Sequence, residues 1–423
     1  MKTKQTTIGE IPADWEVVRL DDSIEIQTGK RAKGGALTEG EILSLGGEHI
    51  GVNGKIIWGL NSKYIPEKFY DKLTQGKIKL GDILLVKDGA TTGKTAFVDN
   101  MLNKKVAVNE HVFIIRVKEK GKFYSRFLFY VLFSKIGQRQ IKQTFHGMIG
   151  GIKKSNVKSL KIPLPPLHEQ KAIAEVLSTV DKAIEKSDQI IQKTERFKKG
   201  LMQGLLTRGI GHTEFKDTEI GRIPKEWEIK KFEKVCIKIQ SGGTPLTSKK
   251  EFYVGDIPFV KIEDISAAKK YIIQTQQHIS KKGLENSTAW VIPPRSLLLA
   301  IYGSLGKVAI NKIPLATNQA ILGIILNNKL VNTEFVYYLI KNMNLKKYAK
   351  QSTQANLTAK IIKNLKIVLL PLHEQKKIAE ILSTVDEKLE LERKRKEKLE
   401  RIKKGLMNDL LTGRKRVLLN DKG

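Results

Sequence analysis

The sequence predicts an α+β fold with an internal two-fold repeat: two similar mixed domains separated by two long antiparallel coiled-coil helices. Three observations carry this. Residues 167–207 and 372–412 align at an offset of 205 without a gap and are identical at 25 of 41 positions. A second anchor lies upstream, where Gly9-Glu-Ile-Pro-Ala-Asp-Trp15-Glu16 matches Gly221-Arg-Ile-Pro-Lys-Glu-Trp227-Glu228 at an offset of 212. Finally, the strongly matched segments have helical periodicity, whereas the stretches between anchors diverge and carry short β-like runs. The order is variable, constant, variable, constant.

The first variable segment spans residues 1–164. Ile83–Val86 and Val112–Val117 read as strands and 123–143 as helix. Residues 165–207 form the first constant segment. Pro165 and Pro166 open it ahead of the helix, where a missing N–H costs little, and Glu169 sits in the first turn, where the helix dipole favours a carboxylate. Ile173, Leu177, Val180, Ile184, Ile191, Leu201 and Leu205 recur at heptad spacing, and Gly209 stands where a C-terminal stop is expected. At about 1.5 Å per residue, some 40 residues make a rod of roughly 60 Å.

The second variable segment covers 208–369, with strand-like runs at Ile257–Ile262, Leu297–Ile301 and Ile321–Leu326 and a helical stretch at 333–349. The second constant segment, 370–413, has Pro371 ahead of its helix and repeats the pattern with Ile378, Leu382, Val385, Leu389, Leu399, Leu406 and Leu410, ending at Gly413. Residues 414–423 form a short basic tail. Each seam has the other copy as its natural partner. Polar residues interrupt both seams, Ser187, Thr194 and Lys198 in one and Glu392, Lys396 and Lys403 in the other. These suit a weak coil or a seam that also receives another protein.

The chain of 423 residues is 40% hydrophobic, enough for ordered cores, and carries 76 Lys and Arg against 44 Asp and Glu, a formal charge of +32. The excess is not on the helices. Residues 165–207 hold 7 basic and 6 acidic side chains and residues 370–413 hold 11 and 9, whereas 1–164 carries +12 and 208–369 carries +14. Two basic domains on a nearly neutral spacer suit two separated contacts on one DNA duplex. A basic proteome or a thermophilic source is the plainer explanation of the charge, and its even division between the variable domains argues against that.

Cys236 is the one cysteine, which excludes an intrachain disulfide and a cysteine metal cluster. The seven histidines include no H-x-x-x-H pair, so no metal site is expected. Met1-Lys2-Thr3-Lys4 has no apolar signal-peptide core, and no run reaches the ~18 apolar residues of a membrane helix. The expectation is a cytoplasmic protein without membrane contact.

Gly89-Ala-Thr-Thr-Gly93-Lys94-Thr95 has three residues between its glycines where a phosphate-binding loop needs four, and its counterpart Gly303-Ser-Leu-Gly306-Lys307-Val308 lacks the Ser or Thr. A glycine turn that places Lys94 and Lys307 near DNA phosphate fits better, beside the plain reading of a structural turn. Ala107-Val-Asn109-Glu110 faces Ala316-Thr-Asn318-Gln319 as a weaker echo. Ser241-Gly-Gly-Thr-Pro245 with Lys249 and Lys250, and its rough counterpart Gln27-Thr-Gly-Lys30-Arg31-Ala-Lys33, are polar, glycine-containing basic loops of the kind that approach DNA through backbone N–H groups and lysines. Trp15 and Trp227 read as buried anchors of each domain start, and His168 and His373 as packing or capping residues at the helix starts. No N-P-P-Y methyltransferase motif, nuclease carboxylate cluster or nucleophile elbow is present.

With these residues in hand, the chain resembles the specificity subunit of type I restriction-modification systems. The resemblance rests on the two P-L-H-E-Q helix starts (Pro166–Gln170 and Pro371–Gln375), the L-L-T helix ends (Leu205–Thr207 and Leu410–Thr412), the I-P-x-x-W-E domain starts, and Ser241–Pro245, Ile257–Ile265 and Ala316–Ala320, which look like that family's target recognition domains. It implies that 1–164 and 208–369 are target recognition domains, each reading one half of a split, asymmetric double-stranded DNA sequence. It implies that the helices set the spacing and that DNA methyltransferase subunits, expected as two, dock on the chain, where a restriction subunit can join. S-adenosylmethionine, ATP and Mg would then sit on partner subunits, with no cofactor, metal or catalytic residue in this chain. The DNA-binding residues expected are Lys30, Arg31, Lys33, Lys87, Lys94, Lys153 and Lys154 in the first domain, and Ser241, Thr244, Lys249, Lys250, Lys261, Tyr302, Lys307, Asn356 and Lys360 in the second. Two rival readings are a fused nuclease or methyltransferase, and a scaffold whose basic domains bind RNA or acidic proteins.

Overall fold

A computed structural model describes residues 2–102, 104–145, 151–349 and 356–417. The chain forms two compact units, Met1–Asp188 with Lys394–Gly423, and Gln189–Arg393. Each unit therefore holds one variable segment, one end of the first long helix and the opposite end of the second.

In the first unit, β1 (Ile24–Thr28), β2 (Ile83–Val86), β3 (Thr95–Phe97) and β4 (Val112–Val117) form an antiparallel sheet in the order β1-β4-β2-β3. All four residues of β2 are buried, because both faces of the sheet are covered. The strand period of two sorts them: Ile83 and Leu85 join the core around Trp15 and the helix Ser125–Phe133, while Leu84 and Val86 join a second core with Leu43 and Val106. A three-stranded sheet of Ile42–Leu45, Tyr64–Ile65 and Val106–Val108 lies beside it, with Leu43–Leu45 parallel to Val106–Val108.

The second unit repeats this plan. β5 (Cys236–Ser241), β6 (Tyr271–Ile272), β7 (Leu297–Ala300), β8 (Val308–Asn311) and β9 (Ile321–Leu326) take the order β5-β9-β7-β8-β6. Ile257–Val260, Gln277–Ile279 and Ala316–Thr317 form the accompanying three-stranded sheet.

Three segments are shorter than their sequence patterns. The 123–143 stretch is two helices, Ser125–Phe133 and Lys135–Gln143, because Ser134 leaves the helical region and its hydroxyl accepts from the Ile136 N–H to cap the second. Likewise 333–349 divides into Thr333–Asn342 and Lys346–Ala349. The Ile257–Ile262 run stays extended only to Val260, since the Asp264 carboxylate accepts from the Lys261 N–H and a helix starts at Ile262.

The long helices run Leu167–Arg208 and Leu372–Leu410. Gly209 and Gly413 stop them in the left-handed region, with φ of 66° and 68°. Their pairing is antiparallel within each unit. In the first, Lys403 and Lys396 of the second helix bridge to Asp181 and Asp188 of the first at 2.6 and 2.7 Å. In the second unit, Lys198 bridges to Asp386 and Arg393 to Glu195. The lysines that interrupt the heptad seams therefore carry cross-helix ion pairs rather than defects. Each domain adds a tyrosine to the same aspartate: Tyr130 donates to Asp181 and Tyr338 to Asp386, both at 2.7 Å. Burial lowers the Lys198 ammonium below its ordinary value against the pull of Asp386.

The ends of the helices also complete the domain cores. Ile173, Leu177, Leu410 and Leu411 pack with Trp15, and Met202, Leu206, Ile378 and Leu382 with Trp227. Burying such a side chain contributes about 1.5–3 kcal/mol, so helix and domain stabilise each other. Both tryptophans are fully buried. Their indole N–H groups donate to Glu169 and Glu374, which lie one residue beyond the histidines. His168 and His373 are not buried, so the junction role expected of them falls to the glutamates and to Gln170 and Gln375. The amide of Gln170 donates to the Pro165 and Lys122 carbonyls, and that of Gln375 to those of Leu370 and Leu330. From the basic tail, Arg416 bridges to Glu169 at 2.5 Å and to Asp14 at 3.0 Å. His212 stands in its place in the second unit, 3.0 Å from Glu374. Residues 418–423 of the tail lie outside the described residues.

Candidate nucleic-acid interface

The strand register of each main sheet gathers most of the expected contact residues at one end. In the first unit, Phe113 pairs with Thr28 and Val112 with Val86, so the loops after β1, after β2 and before β4 leave the sheet together. Lys30 and Arg31 follow β1, Lys87 follows β2, and Lys94 precedes β3. The turn from Lys87 to Lys94 closes a hairpin through the Val86 N–H to the Lys94 carbonyl at 2.9 Å and the Gly93 N–H to the Val86 carbonyl at 2.9 Å. Strand–turn–strand geometry, with Gly89 and Gly93 at positive φ, is unlike a phosphate loop, which opens a helix. Lys153 and Lys154 reach the same end because the Ile152 N–H donates to the Lys87 carbonyl at 2.7 Å.

The second unit reproduces these bonds. Ala300 N–H donates to the Lys307 carbonyl at 2.9 Å, Gly306 N–H to the Ala300 carbonyl at 3.0 Å, and Leu357 N–H to the Ile301 carbonyl at 3.3 Å. Tyr302, Lys307 and Asn356 thereby meet at the end of the sheet where Ser241 pairs with Leu322. Lys261 joins through the Asn318 N–H, which donates to the Val260 carbonyl at 3.4 Å.

The equivalence of the two glycine loops follows from close packing. A Cβ on Gly29 would stand 1.8 Å from the Val108 carbonyl oxygen, and one on Gly242 would stand 2.0 Å from that of Thr317. Gln27–Lys30 thus corresponds to Gln240–Gly243, and glycine is present because a backbone crosses there.

Most of the expected residues are exposed: Lys30, Arg31, Lys33, Lys153, Lys154, Thr244, Lys249, Lys250, Lys261, Tyr302, Lys307 and Lys360. Lys87, Lys94, Ser241 and Asn356 are half-buried. Thr244, Lys250 and Lys261 line a cleft of about 370 Å³ with Tyr253, Gln277 and Asn318. Lys33 lies farther along its loop. Lys249 sits over the Phe252 ring at 5.2 Å, and Lys360 lies in the short helix Ala359–Lys363. A larger hollow of about 1380 Å³ in the first unit, near Trp58, Arg126 and Lys403, is lined by none of these residues.

Sequence reasoning missed the polar residues between the lysines. Asn109 and Asn318 each fold a tight turn, their side-chain oxygens accepting from the His111 and Ala320 N–H groups at 3.0 and 3.2 Å. Asp88 lies 2.5 Å from His111 and 3.4 Å from Lys87, and Arg31 lies 4.0 Å from Glu110. Thr244 donates to Gln319. The echo between Asn109-Glu110 and Asn318-Gln319 was the available signal.

Among the described residues, no group of three or more His, Cys, Asp and Glu is placed to hold a metal ion, and no helix is long and apolar enough to cross a membrane. Burial pushes the Cys236 thiol up to about 12, which keeps it protonated and a poor nucleophile at neutral pH.

The family model described as the type I restriction modification DNA specificity domain matches residues 12–196 and again 224–401. The chain is 31% identical over 425 residues to the type I restriction enzyme MjaVIII specificity subunit of Methanocaldococcus jannaschii, covering 96% of this chain and 94% of the relative. It is 30% identical over 438 residues to the putative MjaX specificity subunit of the same organism, covering 98% and 96%. In fold it is similar to the crystal structure of a type I restriction-modification S subunit from M. genitalium, with a TM-score of 0.61 at 18% identity over 94% of this chain and 96% of that one. The duplicated units, the matched residues and these relatives lead to one conclusion: the chain belongs to the specificity-subunit family of type I restriction-modification systems.

Proposed function

We propose that this chain reads a split, asymmetric double-stranded DNA target, one half-site per domain, and is itself non-catalytic. The observation that carries the reading is the repeated sheet end: the same backbone bonds present Lys87, Lys94, Lys153 and Lys154 in one unit and Lys307, beside the neutral Tyr302 and Asn356, in the other. Lysines and arginines there release counterions from phosphate and fix the register, and polar side chains between them read base edges in the major groove. The domains 1–164 and 208–369 differ at these loops, so they read different sequences. The helices 165–207 and 370–413 set the spacing between half-sites and bridge the DNA methyltransferase subunits, two of them, with a restriction subunit in assemblies that cleave. S-adenosylmethionine, ATP and Mg belong to those partners, and the assembly works in the cytoplasm, where the DNA is.

Co-expressing the chain with the methyltransferase subunit of its own system and mapping methylated bases across the host DNA tests this. The expected map shows two unlike short motifs at a fixed gap. Methyl transfer or cleavage by the purified chain alone, with DNA, Mg and S-adenosylmethionine, would overturn the non-catalytic assignment.

A further inference from the structure

Glu110 and Gln319 occupy the same position in the two units. Each follows the asparagine of a tight turn, and both turns are fastened to the neighbouring sheet, by the Asn109 N–H to the Leu45 carbonyl at 2.9 Å and by the Asn318 N–H to the Val260 carbonyl at 3.4 Å. Gly29 and Gly242 press on the residues just before them. The scaffold is thus held alike in both domains, and what differs is a carboxylate against a carboxamide.

The two side chains offer different hydrogen-bond patterns. Thr244 donates its hydroxyl hydrogen to the Gln319 Oε1, which engages one lone pair of that oxygen. The exposed Gln319 then presents Nε2 as a donor beside an oxygen with a remaining lone pair. Adenine is the base whose major-groove edge pairs an acceptor, N7, with an amino donor, N6. Glu110 only accepts. Its neighbours are Arg31 at 4.0 Å and the His111 Nε2 at 3.6 Å, both beyond hydrogen-bond length, whereas Asp88 is already engaged by His111 at 2.5 Å. A carboxylate brought up to a polyanion is repelled, so its place on a basic edge calls for a specific donor. In the major groove cytosine presents its N4 amino group as that donor.

We propose that Glu110 and Gln319 are the matching base-reading residues of the two domains, Glu110 selecting a cytosine in one half-site and Gln319 an adenine in the other, with Thr244 positioning Gln319. This rests on the DNA-reading function proposed above.

The test is selection from a randomised duplex library by the full chain, wild type against Glu110→Gln, Gln319→Glu, Thr244→Val and Thr244→Ser, with each melting temperature measured as a check on folding. Glu110→Gln should move one position of one half-site from cytosine towards adenine and leave the other half-site alone. Gln319→Glu should do the reverse at one position of the other. Discrimination at each position should fall roughly ten- to a hundredfold, the range of one good base contact. Thr244→Val should relax the adenine position, and Thr244→Ser should restore it. Folded variants that select the wild-type sequence unchanged would overturn this inference and leave the DNA-reading function standing. A wild-type chain that selects no sequence at all would overturn both.

Discussion

The indole N–H of Trp15 donates to Glu169 at 3.1 Å, joining residues 154 apart in sequence where the first domain meets the first long helix. Trp227 and Glu374 repeat the bond at 3.2 Å. Each carboxylate is nearly inaccessible and has a second partner as well, Arg416 in one unit and His212 in the other. Replacing either glutamate leaves a buried indole N–H without an acceptor and takes one partner from Arg416, which keeps Asp14, or from His212. Glu169→Ala and Glu374→Ala should each cost about 2 kcal/mol, read as a lower urea midpoint by tryptophan fluorescence. An unchanged midpoint would show that the junction is held by apolar packing alone.

Gly29→Ala and Gly242→Ala probe the crossing of backbones at the sheet ends. Either Cβ lands within 2.0 Å of a carbonyl oxygen, Val108 or Thr317, so the loop must move. Overpacking of this kind costs about 1–3 kcal/mol. Each variant should lose preference for its own half-site and keep the other, as seen by binding to duplexes with one half-site scrambled.

Lys94 and Lys307 close equivalent hairpins, and their expected role is phosphate contact. Lys94→Gln with Lys307→Gln should weaken binding evenly across sequences. It should also flatten the plot of log affinity against log salt by about 0.9 for each phosphate that is no longer neutralised. A changed sequence preference with an unchanged salt slope would place these lysines on base edges instead.

Much of the fold was legible in the sequence because the repeat is explicit. A gapless match with heptad spacing implies two helices of nearly equal length, and strand runs such as Ile83–Val86 are apolar enough to be buried on both faces. What stayed hidden depends on contacts between distant residues. Lys198, Lys396 and Lys403 break the heptad pattern locally, and only the antiparallel partner supplies Asp386, Asp188 and Asp181. Arg416 looked like part of a basic tail and instead grips Glu169 and Asp14. At the candidate interface the lysines stood out by positive charge, whereas Glu110 and Gln319 lack it and became visible through the shared turn.

Removing one heptad from each long helix should shorten the gap between half-sites. Seven residues span about 10.5 Å, which is about three base pairs at 3.4 Å each. Both helices must be cut together to keep the cross-helix ion pairs in register. An unchanged gap would remove the helices from the role of spacer.

The most direct measurement of the central claim is the consensus that the full wild-type chain selects from randomised duplex DNA. The expected consensus is two unlike short motifs separated by a fixed, unread gap. A palindrome, a single continuous motif, or retention of RNA and DNA alike without sequence preference would contradict it.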